Sequence, residues 1–103
     1  MNAFAVLADD TRRQIVERLA AGEQSVGDLV AQFSLSQAAI SQHLRVLREG
    51  GLVAVRPVAQ RRLYRLDPKG FAVIELWLER HRRTVAAQLD RLEEHLDQSA
   101  GED

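Results

Sequence analysis

Three runs of apolar residues at helical spacing fill the first half of the chain, each bounded by residues that start or stop a helix. Ile15, Val16 and Leu19 mark a helix over about residues 11–21, with Asp9 and Asp10 at its electropositive start and Gly22 at its close. Val26, Leu29, Val30 and Phe33 mark a second, over 25–33, where Ser25 is the predicted N-cap and Asp28 complements the helix dipole. Ile40, Leu44 and Leu47 mark a third, over 36–49, capped by Ser36 and stopped by Gly50-Gly51. Ser34-Leu35 form the predicted turn between the second and third. A short apolar segment, Ala3 to Ala8, precedes all three and predicts one or two helical turns.

From Leu52 the period drops to two. The stretch L-V-A-V-R-P-V-A-Q-R-R-L-Y-R-L alternates on both sides of Ala59-Gln60 and predicts a β-hairpin with Gln60, Arg61 and Arg62 at its tip. No Asn-Gly or Asp-Gly is present, so a turn longer than two residues is expected. Asp67-Pro68-Lys69-Gly70 then turns into one long helix from Phe71 to about Leu96, which at 1.5 Å per residue spans about 39 Å. The fold class predicted is mainly α with a small β-hairpin: a winged helix-turn-helix. The expected organisation is a single domain over 1–98, with a head at about 9–66, dimerisation helices at about 2–8 and 70–97, and a disordered acidic tail at 99–103.

The third helix carries the candidate chemistry. Its apolar residues lie within about 60° of one another, while Gln37, Ser41, Arg45 and Arg48 fall on another face with Ala38 beside them. Amides, hydroxyls and guanidiniums on a face that is short-chained near its N-terminus suit a helix that approaches base edges in the major groove. Arg61 and Arg62 on the hairpin tip suit phosphates or a narrow minor groove.

Charge sharpens this picture. The net charge is −1, yet residues 36–65 hold six Arg against Glu49, a local balance of +5, while residues 67–103 carry −4. A polyanion responds to the local field rather than to the total. The long helix cannot be covered by so small a head, which predicts a homodimer through Phe4, Leu7, Leu78, Val85, Leu89, Leu92 and Leu96.

Composition excludes several classes. An apolar share of 46% with 28% charged residues belongs to folded soluble chains. No apolar run approaches the roughly 20 residues of a membrane span, no signal segment follows Met1, and a cytoplasmic location is expected. The absence of cysteine removes disulfides and thiolate ligands. Three dispersed His and no Gly-rich phosphate loop predict no enzyme and no cofactor. A protein-docking module would show an apolar patch on the second and third helices, where this chain shows a polar one.

Three segments carry a family likeness: L-A-D-D-T-R-R-Q-I-V at 7–16, S-L-S-Q-A-A-I-S-Q-H-L-R-V-L-R-E-G-G-L-V at 34–53, and Q-R-R-L-Y-R-L-D-P at 60–68. With these the chain resembles the ArsR/SmtB family of small bacterial winged-helix repressors. The resemblance implies a homodimer that binds a double-stranded DNA operator with dyad symmetry and represses its own transcription unit. It assigns Ser36, Gln37, Ser41 and His43 to the DNA face, and Gln42 lies among them. The helical wheel instead sets His43 beside the core seam, predicting a phosphate or supporting role.

The chain departs from the family's metal sites. Ser25-Val26-Gly27-Asp28-Leu29 replaces the cysteine motif. Of the other site, on the last helix, only Glu79, His81, His95 and Asp97 echo the ligands, and His81 stands in an H-R-R run that repels a cation. No metal response is expected, and the sequence names no effector.

Overall fold

A computed structural model describes residues 2–100, with side chains placed for 2–97. Its elements are α1 (Ala3–Val6), α2 (Asp10–Ala20), α3 (Val26–Val30), α4 (Gln37–Glu49), β1 (Val53–Val58), β2 (Arg61–Leu66) and α5 (Pro68–Ala100).

Polar side chains fix the helix starts. Asp9 accepts from the Arg12 N–H at 3.0 Å and caps α2. Ser25 and Asp28 form a capping box on α3, each side chain accepting from the other's backbone N–H. Ser36 caps α4 by accepting from Ala39 N–H at 3.1 Å. Helix α4 ends in a Schellman motif: Leu52 N–H donates to the Leu47 carbonyl and Gly51 N–H to that of Arg48, with Gly51 at φ +79°.

The caps aim one stripe of each helix inward. Val6, Ile15, Leu19, Leu29, Ile40, Leu44, Leu47, Leu52 and Val53 form the buried core, with Val16 and Phe33 packed against it half-buried. Helix α1 joins this head through Val6 and through Arg12, whose Nε donates to the Val6 carbonyl at 2.7 Å.

Four boundaries differ from the sequence expectation. Helix α3 stops at Val30, because Gln32 N–H and Phe33 N–H bond three residues back to Leu29 and Val30 and tighten the chain out of the α-helix. The connection to α4 is therefore longer than Ser34-Leu35. The hairpin turn is shorter than expected: Val58 pairs with Arg61, leaving only Ala59-Gln60. Ala59 meets the turn's need for a positive φ at +56°, a conformation that costs a non-glycine residue about 1–2 kcal/mol and is offset by extending the ladder to its tip. Helix α5 starts at Pro68, which needs no amide partner in a first turn, and Asp67 accepts there from Lys69 N–H at 3.0 Å. It runs on through Ser99 and Ala100, where the acidic tail was expected to begin; the rest of that tail lies outside the described residues.

One tie has no signature in the sequence. Gln24, between α2 and α3, exchanges backbone hydrogen bonds with Tyr64 at 3.0 and 2.8 Å, so the hairpin is stitched to the head. Helix α5 leaves the head as an arm of 33 residues, and the long axis reaches 69 Å against 28 and 23 Å across.

Candidate nucleic-acid interface

Ile40, Leu44 and Leu47, all fully buried, seat α4 on the core and leave its opposite face in solvent. Gln37, Ala38, Ser41, Gln42, Arg45 and Arg48 are all exposed on it, and Ser36 is exposed at its N-terminus. The Ser36 oxygen serves the cap, which leaves its hydroxyl proton for an outside acceptor. Arg45 is steadied by Glu49 one turn on, Nε to Oε1 at 3.2 Å.

His43 departs from this face as the helical wheel predicts. It is half-buried, with a buried Nδ1 that has no hydrogen-bond partner. Across from it stands the α2 cap. Asp9 is held below the ordinary carboxylate range, first by the Arg12 backbone N–H and then by the charges of Arg12 and His43. His43 thus stands against the α2–α4 junction rather than among the outward-facing residues.

The hairpin sets its two tip arginines differently, because successive residues of a strand face opposite ways. Arg62, with Tyr64 two residues on, faces α4 across a groove of about 490 Å³ that Ser41, Arg45, Arg48 and Glu49 complete. Arg61 turns to the head, where its Nη2 lies 2.9 Å from Asp28 Oδ2 and 3.0 Å from Ser25 Oγ. Hydrogen bonds from Ser25, backbone N–H first and hydroxyl next, hold the Asp28 carboxyl below its ordinary range, and Arg61 adds to them. Arg56, on β1, is clamped by Glu23 at 2.9 Å. Among the described residues, Arg48, Arg62 and Arg65 have no carboxylate partner. The structure therefore brings Arg48 and Arg62 to one groove and leaves Arg61 out of it. Tyr64 and Glu49 were missed from sequence, although the i, i+2 spacing of Arg62 and Tyr64 marks a shared strand face.

The sequence profile of the bacterial regulatory protein, arsR family, matches residues 9–55, the stretch from the α2 cap into β1. The HTH-type transcriptional regulator Rv2034 of Mycobacterium tuberculosis is 50% identical over 78 residues, covering 76% of this chain and 73% of that one. This chain belongs to the arsR family. A crystal structure of a possible transcriptional regulator for arsenical resistance superposes with a TM-score of 0.68 at 44% identity, over 84% of this chain and 96% of that one. A homodimeric winged helix-turn-helix DNA-binding domain from Mycobacterium bovis, itself a possible ArsR-family regulator, gives a TM-score of 0.63 at 29% identity over 77% of each chain. The groove between α4 and the hairpin thus belongs to an ArsR-family winged helix-turn-helix transcriptional regulator.

The arm of this ArsR-family chain is apolar on one side and uncovered. Leu78, Val85, Leu89, Leu92 and Leu96 lie within an arc of about 60° and are all exposed, on the same side as the half-buried Phe71 and Ile74. Of the predicted interface residues near the N-terminus, Leu7 packs against its own head and Phe4 meets Trp77 edge-on, ring centroids 5.4 Å apart. Trp77 in turn stacks on His81 at 4.3 Å, and His81 Nδ1 lies 2.8 Å from the Trp77 carbonyl.

The candidate metal ligands do not assemble within one chain. Among the described residues no three His, Asp or Glu side chains converge, and the 14 residues from His81 to His95 separate them by about 21 Å along the helix. One His81 nitrogen is engaged by a backbone carbonyl, which leaves the other free, and Arg82 and Arg83 stand next to it in sequence.

Proposed function

We propose that this chain is a homodimeric transcriptional repressor that binds an inverted-repeat DNA operator, without a metal as its signal. The observation that carries the reading is the groove where exposed Ser41, Arg48 and Arg62 converge from two elements around a rigid apolar seat. Gln37 and Ser41, near the α4 N-terminus, read base edges. Arg45 and Arg48 contact phosphates and set the register of the helix, and Arg62 holds the flanking backbone. The exposed apolar arm supports dimerisation, and two-fold symmetry then sets two recognition helices about 34–36 Å apart, one turn of the duplex.

In vitro selection from a random duplex pool tests the whole reading. Recovered sequences are expected to share a dyad with half-sites about 10–10.5 base pairs apart, and their binding to be indifferent to zinc. Gln37→Ala is expected to weaken that binding by about 1–3 kcal/mol and to relax one position per half-site. Enrichment of no sequence would remove the DNA assignment. Release of the selected duplex by zinc would restore His81 and His95 as ligands contributed across a dimer. A reporter transcribed from a promoter overlapping the selected site is expected to fall when the protein is supplied; a rise would reverse the assigned sign.

A further inference from the structure

The hairpin is fastened to the head through one short segment, residues 23–28, at three levels. Arg56 meets Glu23 with Nε at 2.9 and 3.1 Å from the two carboxylate oxygens. Tyr64 exchanges backbone hydrogen bonds with Gln24. Both ties lie midway along the ladder, where Arg56 pairs with Leu63 and Val55 with Tyr64. The third reaches the tip. Arg61, paired with Val58 beside the two-residue turn, spans 33 positions of sequence to Asp28. Asp28 is not a loose surface acid, because the same carboxylate accepts the Ser25 N–H at 3.0 Å and is set by the cap of α3.

We propose that Asp28 is a positioning residue for DNA binding: through Arg61 it latches the tip of the wing so that Arg62, on the other side of the strand, faces the duplex. Arg61 is thereby reassigned from a DNA contact to the moving half of the latch. The proposal rests on the reading that Arg62 holds DNA. It explains why two adjacent arginines in one strand have different surroundings, one paired with a carboxylate and one facing the groove with no ion-pair partner among the described residues.

Electrostatics gives the test a sign. Asp28 is a negative charge beside a surface that meets a polyanion, so its removal alone should tighten binding. The latch requires the opposite. Asp28→Asn keeps the shape and the acceptor for Ser25 N–H while losing the charge that holds Arg61. On the duplex recovered by selection with the unaltered protein, Asp28→Asn is expected to weaken binding about two- to fivefold, the range an exposed ion pair provides. Arg61→Gln should weaken it by the same factor, and the pair together no further. In an Arg62→Ala background, where the wing has already lost its grip, Asp28→Asn should cause no weakening at all.

Equal or tighter binding by Asp28→Asn overturns the latch. So does an equal loss in the Arg62→Ala background, which would mark a general effect on the head. If Arg62→Ala itself leaves affinity and salt slope unchanged, the wing contact falls and the latch falls with it. A weakened Arg62→Ala with a neutral Asp28→Asn overturns the latch alone.

Discussion

Leu89→Glu is the sharpest test of the arm as a dimer interface. Leu89 retains 56% of its surface in solvent and sits midway along the exposed stripe. Burying a whole leucine side chain stabilises by about 1.5–3 kcal/mol, so covering the exposed half is worth about 1 kcal/mol. Two-fold symmetry doubles the effect, and the glutamate adds a carboxylate to each side of an apolar contact. Desolvating an unpaired carboxylate costs several kcal/mol, which bending of the side chain toward water reduces to about 1 kcal/mol or more. The combined loss is about 4 kcal/mol per dimer, or about a thousandfold in the dissociation constant. Sedimentation velocity over a concentration series measures this directly, and monomer is expected at concentrations where the unaltered chain is dimeric. Leu76 supplies the control: it is 53% exposed but lies on the opposite side of α5. Leu76→Glu should leave the dimer intact. If Leu89→Glu dimerises as tightly as the unaltered chain, or if Leu76→Glu is the variant that dissociates, the stripe is not the interface.

Two further predictions concern how the head is held. A Cβ on Gly70 would collide with the Gly51 carbonyl, 2.6 Å from its carbon, whereas a Cβ on Gly51 meets nothing within 4 Å and suffers only from its φ of +79°. Gly70→Ala is therefore expected to cost about 1–3 kcal/mol by forcing α5 away from the end of α4, and Gly51→Ala about 1–2 kcal/mol from its backbone alone. Chemical denaturation ranks them, and an unperturbed Gly70→Ala would refute the close approach. Asp9→Ala should lose about 1 kcal/mol with the α2 cap. Because Asp9 and Asp28 are both held below 3.8, the stability they add is complete above that pH and is lost as pH falls through their folded-state values. Melting temperatures recorded from neutral pH down to about pH 2 should fall in that acid range, and less so for Asp9→Ala; an identical acid profile for the variant would exclude the cap as a contributor.

Local chemistry made much of this molecule readable in one dimension. Ser25, Ser36 and Asp9 cap helices because a short polar side chain beside free amides has few better partners, whatever the rest of the chain does. Ile40, Leu44 and Leu47 are buried because they share one side of a helix, and the same periodicity exposes Gln37, Ser41, Arg45 and Arg48. It also separated His43 from that face. The turn was misjudged for an equally physical reason: the preference for glycine at positive φ is small, and a ladder extended to Val58 and Arg61 outweighs it at Ala59.

The partners of the charges were decided only by the tertiary structure. Asp28 and Arg61, like Glu23 and Arg56, lie 33 residues apart and meet because Gln24 pairs with Tyr64 and swings the hairpin onto the head. Of the six arginines between 36 and 65, Arg45 meets Glu49 one turn on within its own helix. Packing engaged Arg56 and Arg61 with carboxylates across the fold and left Arg48, Arg62 and Arg65 without one among the described residues, the first two facing one groove. Periodicity reports which side of its own element a residue occupies. Which charge it meets across the fold depends on how the elements pack, and no local pattern encodes that.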